Sequence, residues 1–360
     1  MSATALQPRT PEEAAALVRE HARVLPVGAG TKPALGGLPP ECAALSLGGL
    51  TGIVEYDPGE YTFTALAGTP LAEIAEALAR HGQHLPFDPP FVAAGATLGG
   101  TIAAGLSGPG RYRYGGVRDF ILGVRYVTGL GELARAGGKV VKNAAGFDIP
   151  KVLVGSLGRL AVVVEASLKV FPRPRAYATV AVELPNLAAA IETMARLGAA
   201  PFDLEALELE PPATLEVRLG GEPETFAERL PRLERFVGGR ARRLEGEAEA
   251  AFWRGLDLRV PESAAELLVK VPATPHGILG MDGALEAAGA RRRYSSGGNV
   301  AWVTWPGTAP ELDSWLRSRG LAGLILAGPA GRMLVGATRG DNFRRRVKAA
   351  LDPAGRFPDF

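Results

Sequence analysis

The sequence predicts an α+β protein of two domains, and three observations support this fold class. The chain has 360 residues, which at about 150 residues per domain is enough for two cores. Strand-like segments outnumber helix-like ones in the first half, and residues 177–244 follow the order βαββαβ. Pro172 and Pro174 interrupt the pattern of strands and helices between these two regions of the chain. We therefore predict a first domain at 1–173, a second at 174–325, and a segment at 326–360 that returns to the first.

Composition excludes several functional classes. The 40 basic and 38 acidic residues nearly cancel to a net charge of +2, which gives no field that would attract nucleic acid. The single cysteine, Cys42, cannot form an internal disulfide, a zinc site of clustered cysteines or a self-contained iron–sulfur site. This usage favours a reducing compartment, and Pro8 and Glu12 interrupt any apolar leader. A cytoplasmic location is therefore expected.

The first domain is predicted to mix short strands with capped helices. Thr10, Pro11 and Glu13 mark the start of a helix that runs to about Ala22, with Glu13 completing a capping box. A second helix is expected from Pro70 to Gly82, with Thr69 as its cap. Strands are predicted at 24–27, 43–47, 52–56 and 61–67.

The rest of this domain is predicted to be a hairpin followed by a strong strand. Residues 119–128 and 132–136 form the hairpin around a three-residue turn, Gly129-Leu130-Gly131. From Leu160 to Val170 every second residue is apolar, whereas Glu165, Ser167 and Lys169 occupy the other face. This alternation predicts a strand with one buried and one polar face.

The second domain is predicted to be ferredoxin-like, with a looser second copy of the same order. The first copy comprises strand 177–184, helix 186–198, strands 203–209 and 213–219, helix 222–237 and strand 240–244. The second comprises strand 265–271, helix 275–288, hairpin 291–304, helix 309–319 and strand 321–327, without a sequence repeat to support duplication. The following strand 332–337 and helix 340–350 fit either domain.

Three glycine-rich segments carry the chemistry. Gly28 to Lys32 follows a strand and offers unobstructed amides, a hydroxyl and an ammonium, which suit a pyrophosphate. It lacks the third glycine of the dinucleotide motif and the Walker spacing, and Pro33 blocks the helix that both motifs require. Taken alone, such a short glycine pattern favours a plain glycine turn. Residues 91–110 carry no charge, and their dense glycines indicate either a ligand site or close backbone packing. In Gly155 to Gly158, backbone groups can pair with the edge of a heterocycle while Ser156 donates to a phosphate or ribityl oxygen.

Five motifs follow one another along residues 8–173: Pro26 to Thr31, Pro86-Phe87-Asp88-Pro89, Ala96 to Ile102, Tyr114-Gly115 to Asp119, and Gly155-Ser156-Leu157-Gly158. In this order they resemble the FAD-binding domain shared by vanillyl-alcohol oxidase, p-cresol methylhydroxylase and related 2-hydroxy-acid dehydrogenases. The resemblance is strongest to the E-type FAD-binding subunit of bacterial glycolate oxidase, through 117–124, Lys142 to Asp148, and the tail Asp352-Pro353-Ala354-Gly355-Arg356-Phe357.

The resemblance implies a PCMH-type FAD-binding domain of two subdomains, with the ferredoxin-like domain as its cap. Thr31 stands where covalent members often have the attachment histidine, so non-covalent FAD is expected. Leu157 replaces a frequent acidic residue, and Ala161 a frequent glycine. The expected cofactor-binding residues are Pro26, Val27, Gly28, Ala29, Gly30, Thr31, Lys32, Pro89, Ala96, Thr97, Leu98, Gly99, Gly100, Thr101, Ser107, Gly108, Gly155, Ser156, Gly158 and Val162.

Catalytic residues are harder to assign. Oxidation of a hydroxy acid by hydride transfer needs a base and a cation for the carboxylate, and Arg111, Arg113 and Tyr114 are weak candidates against a plain solvated loop. Relatives that oxidise these acids hold a metal with histidines of the cap, whereas the cap here offers only His276. No metal is expected, and surface roles are favoured for His81 and His84.

The resemblance implies an FAD-binding subunit of glycolate oxidase that takes part in converting glycolate to glyoxylate or relays its electrons. Its implied partners are a second, metal-dependent flavin subunit, an iron–sulfur subunit and a small 2-hydroxy acid, with a membrane reached only through the complex. The runs Arg291 to Arg293 and Arg344 to Arg346 either face an acidic partner or are solvated. Two alternatives stay open: a non-catalytic assembly subunit, and a stand-alone FAD-dependent oxidase of another small acid or alcohol.

Overall fold

A computed structural model describes residues 6–37, 39–138, 147–256 and 261–360. The chain divides into two compact units. Unit 1 contains Met1–Ser107, Gly115–Arg173 and Arg339–Phe360, and unit 2 contains Gly108–Tyr114 and Pro174–Thr338. Both units mix helices and sheets, which confirms the α+β class. Within the described residues, no helix combines the length and apolar character needed to cross a bilayer.

Unit 1 is built mainly from short elements. Its helices are α1 (Pro11–Glu20), α2 (Leu71–Ala79), α3 (Leu98–Ala104), α5 (Val117–Phe120), α6 (Ile149–Leu153) and α12 (Asp341–Leu351). Its strands are β1 (Val24–Val27), β2 (Ala43–Ser46), β3 (Ile53–Asp57), β4 (Thr62–Leu66), β5 (Gln83–His84), β6 (Ile121–Val127), β7 (Leu133–Gly137), β8 (Val162–Lys169) and β9 (Phe171–Pro172). A short 3-10 helix, Leu47–Gly49, follows β2.

Three sheets organise unit 1. Strands β1 and β2 pair in parallel, and a five-stranded antiparallel sheet has the order β3-β4-β8-β6-β7. The short strands β5 and β9 form the third sheet. The predicted hairpin is confirmed, because Val127 pairs with Leu133 and the amide of Thr128 donates to the carbonyl of Glu132 at 3.0 Å. Its first strand begins at Ile121, since the preceding residues form α5.

Two predicted helix starts differ in detail. Thr10 caps α1 by accepting from the amide of Glu13 at 3.1 Å, but the Glu13 carboxylate accepts from the amide of Arg9 at 2.7 Å, one residue before the position that a capping box uses. The prediction of Thr69 as the cap of α2 was wrong. Its hydroxyl donates to the carbonyl of Leu66 at 2.7 Å, and Pro70 occupies the capping position without a side-chain bond.

The predicted strand is confirmed as β8, and seven of its eight residues are buried, including most of the polar residues that alternate along it. Helices α1 and α3 both pack against this central strand. The buried Glu165 carboxylate lies 3.4 Å from the Arg125 guanidinium, and the Ser167 hydroxyl lies 2.7 Å from that of Thr64. The alternating polar residues therefore pair within the sheet and do not face solvent.

Several hydrogen bonds join the segment Arg339–Phe360 to the rest of unit 1, and Lys348 forms a group of them. The Nζ of Lys348 donates to the carbonyls of Arg159 and Phe357, both at 2.7 Å, and to Asp352 Oδ2 at 2.6 Å. Asp352 in turn accepts from the amides of Arg356 and Phe357. The chain joins unit 1 at Arg339 and not at 326 as predicted, because 326–338 remains with unit 2.

Unit 2 contains two four-stranded βαββαβ copies and one further strand in a nine-stranded antiparallel sheet. Its helices are α4 (Arg111–Tyr114), α7 (Leu187–Ala199), α8 (Phe226–Val237), α9 (Gly246–Arg254), α10 (Pro275–Ala287) and α11 (Ala309–Ser318), with a 3-10 turn at Pro223–Thr225. Its strands are β10 (Ala176–Glu183), β11 (Leu204–Glu210), β12 (Thr214–Gly221), β13 (Arg240–Glu245), β14 (Leu267–Pro272), β15 (Arg291–Ser295), β16 (Val300–Trp305), β17 (Ala322–Ala327) and β18 (Leu334–Gly336).

The sheet order β13-β10-β12-β11-β15-β16-β14-β17-β18 places the two copies edge to edge. Both predicted copies are confirmed, and the second mirrors the strand order of the first. Their junction lies between β11 and β15, where the ladder has one pair, Leu209 opposite Tyr294. Helix α9, which the sequence did not predict, packs against β10 and β13.

A buried charged cluster spans this junction. Arg293 of β15 donates to Glu210 and Glu216 at 2.7 Å each and to Glu208 at 3.4 Å. Glu208 also accepts from the Ser295 hydroxyl at 2.8 Å and the Ser296 amide at 3.0 Å. Burial raises the pKa of the Glu208 carboxyl, and these contacts oppose that rise. Of the run Arg291 to Arg293, only Arg291 is partly exposed, and it pairs with Glu262; Arg292 pairs with Asp282, and Arg293 is buried in the cluster.

Candidate functional site

Unit 1 contains an open cavity of about 750 Å³, counted with its solvent-filled mouth. Three segments form most of its wall: Pro26 to Gly36 after β1, Thr97 to Ala104 along α3, and Ser156 to Val163 at the start of β8. Leu47 contributes from the 3-10 helix. The three glycine-rich segments of the sequence therefore meet at one place.

The structure brings many of the predicted cofactor residues to this wall and leaves others away from it. The predicted residues that line the cavity are Pro26, Val27, Gly28, Ala29, Gly30, Thr31, Lys32, Thr97, Gly99, Gly100, Ser156 and Gly158. The predicted residues that do not line it are Pro89, Ala96, Leu98, Thr101, Ser107, Gly108, Gly155 and Val162.

The residues that do not line the cavity have other surroundings. Leu98 and Val162 are fully buried core residues. Val163 lines the cavity in place of Val162 because consecutive strand residues point to opposite faces. The hydroxyl of Ser107 accepts from the amide of Val117 at 3.0 Å, and Gly108 belongs to unit 2.

Sequence reasoning missed several lining residues. They are Leu35, Gly36, Leu47, Ala103, Ala104 and Val163, whereas Leu157 and Ala161, which the sequence analysis singled out without counting them as binding residues, also line the wall. Ala103 and Ala104 lie three to five residues after Gly99 and Gly100, so helical periodicity would have found them had α3 been predicted. Leu47 carries no comparable signal, because only the pairing of β2 with β1 brings it near the cavity.

The glycines of the wall serve two purposes. A Cβ atom on Gly28 would lie 2.5 Å from the Thr97 hydroxyl oxygen, and one on Gly99 would lie 2.7 Å from the Ala67 side chain. At Gly158, with φ +70°, it would lie 2.7 Å from the ring of Pro26. By contrast, Gly30 has φ +69° and no atom within 4 Å of such a Cβ. Close packing therefore explains three of these glycines, whereas Gly30 leaves open space.

Several polar groups in the wall have no partner within the chain. The Oγ of Ser156 is buried and forms no hydrogen bond within the described part of the chain. The amides of Ala29, Gly30 and Thr31 likewise donate to no atom of residues 6–37, 39–138, 147–256 or 261–360. Buried polar groups are nearly always hydrogen-bonded in native proteins. The Ser156 hydroxyl therefore suits an external acceptor, and the more exposed amides of Ala29, Gly30 and Thr31 line the same cavity.

Lys32 adds a cation to the same wall. Its Nζ lies 2.8 Å from the Thr31 hydroxyl oxygen and 5.6 Å from the centre of the Phe91 ring. Burial lowers the pKa of this lysine to about 8. The wall thus combines one cation, a group of amides and a hydroxyl with apolar side chains, a donor set that suits an anionic ligand with an apolar part.

The predicted catalytic candidates lie in unit 2 and do not line this cavity. Tyr114 donates to Glu205 at 3.1 Å, and the Arg113 guanidinium lies 3.4 Å from the same carboxylate. Burial and the neighbouring Glu205 raise the pKa of the Tyr114 hydroxyl above its usual range. Arg111 begins the same short helix, α4. Two of the three candidates therefore have a structural role in holding α4 to Glu205.

The histidines are dispersed. His81 packs edge-on against Tyr56, and the Nδ1 of His84 lies 3.2 Å from the carbonyl oxygen of Phe171. His276 is exposed on α10. Among the residues that the structure describes, no group of three or more histidine, cysteine, aspartate or glutamate side chains is arranged to hold a metal. Residues Lys142 to Gly146, part of a predicted motif, lie outside the described residues.

Comparison with known proteins relates this chain to proteins that bind FAD. The family model described as an FAD binding domain matches residues 2–137. The glycolate oxidase subunit GlcE of Escherichia coli is 36% identical over 310 residues, which cover 85% of this chain and 83% of that one. The glycolate oxidase subunit GlcD of Bacillus subtilis is 32% identical, over 51% of this chain and 40% of that one.

A solved structure supports the fold. Alkyldihydroxyacetonephosphate synthase aligns with a TM-score of 0.71 over 97% of this chain and 74% of that one. At 17% identity this similarity concerns the fold alone. FAD is a molecule with an anionic pyrophosphate and an apolar ring system, and both parts match the donor set and apolar wall of the cavity. The residues present therefore fit the cofactor that the family model implies.

Proposed function

This chain belongs to the FAD-binding flavoprotein family represented by the glycolate oxidase subunit GlcE, and we propose that it is the FAD-binding subunit of a glycolate oxidase complex. The proposal rests on one observation: the buried hydroxyl of Ser156 and the unpaired amides of Ala29 to Thr31 converge on the cavity of unit 1. Bound FAD supplies an acceptor for two electrons from a hydroxy acid or from a partner flavin.

The residues of the cavity wall have distinct roles in this proposal. The amides of Ala29, Gly30 and Thr31, together with Lys32, hold the pyrophosphate. Ser156 donates to a phosphate or ribityl oxygen. Leu47, Ala103 and Val163 provide apolar contact for the rings and exclude water from them.

We propose non-covalent binding of the cofactor. Covalent flavin attachment uses a nucleophilic side chain such as histidine, cysteine or tyrosine. The described residues that line the cavity include none of these, and Thr31 occupies the position expected for an attachment histidine. Denaturation in acid should therefore release all flavin into the supernatant. Flavin that remains with the precipitated chain would contradict this part of the proposal.

We further propose that this subunit relays electrons and does not oxidise glycolate by itself. No carboxylate or histidine among the described lining residues can serve as the base that hydride transfer requires. The candidates Arg113 and Tyr114 are already bound to Glu205. The metal-assisted oxidation is then the task of a second flavin subunit, and an iron–sulfur subunit receives the electrons. We propose a cytoplasmic location on the basis of the single cysteine, with membrane contact only through the complex.

Reconstitution tests this function. The purified chain is expected to bind one FAD and show a flavin absorption band, and glycolate added without oxygen should bleach it slowly or not at all. Addition of the second flavin subunit should restore rapid bleaching of the flavin in this chain. Rapid bleaching of the isolated chain by glycolate would overturn the relay role.

Two other functions are outcomes of the same experiment. A chain that binds its partners but no FAD would be an assembly subunit that keeps the flavin fold for structure. Bleaching of the isolated chain by another small acid or alcohol, found by scanning substrates, would indicate a stand-alone oxidase. The unpaired Ser156 hydroxyl favours a bound cofactor over a purely structural fold.

A further inference from the structure

Lys32 is the only ionisable side chain among the described residues that line the cavity of unit 1. Its ammonium group lies 2.8 Å from the Thr31 hydroxyl oxygen and 5.6 Å from the centre of the Phe91 ring, and no carboxylate of the described residues perturbs its charge. Phe91 itself has φ +64°, a left-handed backbone conformation that is uncommon for a bulky residue. The lysine is therefore a partly desolvated cation that is held beside an apolar ring.

Burial is the sole cause of the lowered pKa of Lys32, about 8, and no charged side chain of the described residues contributes to it. A lysine in this state is mostly protonated at about pH 7 and mostly neutral at about pH 9. The flavin dinucleotide carries two negative charges, both on its pyrophosphate. If FAD binds in this cavity, Lys32 is the one charged side chain of the described wall that can pair with its pyrophosphate. The strength of that pairing therefore depends on whether Lys32 is protonated.

We propose that Lys32 makes FAD binding proton-coupled: its ammonium group pairs with the pyrophosphate, and a neutral Lys32 takes up one proton from water when the cofactor binds. The inference rests on the proposed binding of FAD in this cavity and adds how that binding responds to pH. Charges and protons balance in this step: neutral Lys32, one proton from solvent and the dianionic cofactor give the ammonium–pyrophosphate pair. No bond to the cofactor forms or breaks.

The direction of the pH effect follows from the sign of this linkage. The bound pyrophosphate raises the pKa of Lys32 above its value of about 8 in the free protein. Affinity for FAD is therefore highest below about pH 8 and falls as pH rises through that value. Between about pH 7 and pH 9 the loss should be about tenfold, because the protonated fraction of the free protein falls by about that factor.

Calorimetric titration of the flavin-free chain with FAD tests the proposal without any activity measurement. Titrations at about pH 8 in two buffers of different ionisation enthalpy should show an uptake of about half a proton per FAD. The variant Lys32→Met should bind FAD more weakly, with no proton uptake and no loss of affinity between about pH 7 and pH 9. Lys151→Met, at an exposed lysine paired with Asp148, is the matched control and should behave as the wild type.

The variant Lys32→Arg separates charge from titration. Its guanidinium stays protonated throughout, so FAD should bind at about pH 9 as tightly as at pH 7. If Lys32→Arg keeps the wild-type pH dependence, or if the wild type takes up no proton, the proposal is wrong while FAD binding itself stands. If the wild type binds no FAD at either pH, the proposed function fails first, and the two failures are therefore distinguishable.

Discussion

Two buried serines show how differently the two units use polar groups. Ser295 in unit 2 is 1% exposed and donates to Glu208 at 2.8 Å, within a cluster where three glutamates surround Arg293. Ser156 in unit 1 is 3% exposed, and its hydroxyl has no partner among the described residues. Burial is the same in both, so the difference lies in what each group is there to bind. The Ser295 hydroxyl stabilises the fold, whereas the Ser156 hydroxyl lies in the wall of a cavity, where a ligand can accept its hydrogen bond.

The charged cluster of unit 2 should respond most strongly to substitution. Arg293→Met leaves Glu208, Glu210 and Glu216 without their common cation, and removal of one partner of a buried ion pair costs about 3–5 kcal/mol. Urea denaturation followed by tryptophan fluorescence measures this loss, because all 4 tryptophans of the chain lie in unit 2.

Arg291→Met is the matched control on the same strand. Its guanidinium forms more exposed pairs with Glu262 and Glu266, so the loss should stay below about 1 kcal/mol. Equal effects of the two substitutions would show that burial of the cluster contributes nothing. In that case the contrast between the units would lose its basis.

Substitution of Gly158, in the turn before β8, should cause the next largest loss of stability. In Gly158→Ala, the new methyl group meets the Pro26 ring in a left-handed backbone conformation, and unit 1 should lose about 2–3 kcal/mol. Gly30→Ala has a similar φ but open space, so it should cost about 1 kcal/mol. Hydrogen exchange of unit 1 peptides measures both variants, and a larger loss for Gly30→Ala would contradict the packing explanation.

Ser295→Ala should have a smaller effect that is confined to stability. Removal of its hydroxyl takes one hydrogen bond from the buried Glu208 carboxylate and should cost about 1–2 kcal/mol in the fluorescence-detected denaturation. FAD affinity should not change, because the serine belongs to unit 2 and does not line the cavity. A weaker FAD titration in this variant would argue against separate roles for the two serines.

Ser156→Ala should reverse this pattern and have the smallest effect on stability. The flavin-free protein loses no hydrogen bond, so its stability should change by less than about 0.5 kcal/mol. The dissociation constant for FAD should rise about five- to tenfold, which corresponds to one lost hydrogen bond. An unchanged dissociation constant would remove Ser156 from the proposed site.

Much of this fold follows from local pattern. The order βαββαβ between 176 and 245 could be predicted because each helix is amphipathic and each strand is short and bounded by turn residues. The second copy could be predicted in the same way. The mirrored join at β11 and β15 could not, because the pairing of Leu209 with Tyr294 depends on residues about 85 positions apart.

The candidate site shows a similar division. The loop from Pro26 to Lys32 and the turn from Ser156 to Gly158, which line the cavity, could be singled out from sequence because glycines and small polar residues follow or precede strands there. The inward face of α3 could not, since its glycines concealed a helical period. The charged run at Arg291 to Arg293 was the clearest failure, because sequence alone does not show that three glutamates on two other strands converge on Arg293.

The anchoring of Arg339–Phe360 by Lys348 also has a consequence for how the protein is made. The Arg159 carbonyl that Lys348 binds directly follows the turn from Ser156 to Gly158. During translation, residues 174–338 of unit 2 leave the ribosome before Arg339–Phe360, so unit 2 is complete while unit 1 still lacks this segment. Nascent chains arrested before Lys348 should therefore fold unit 2 and capture FAD poorly, and cofactor loading becomes a late step in biogenesis.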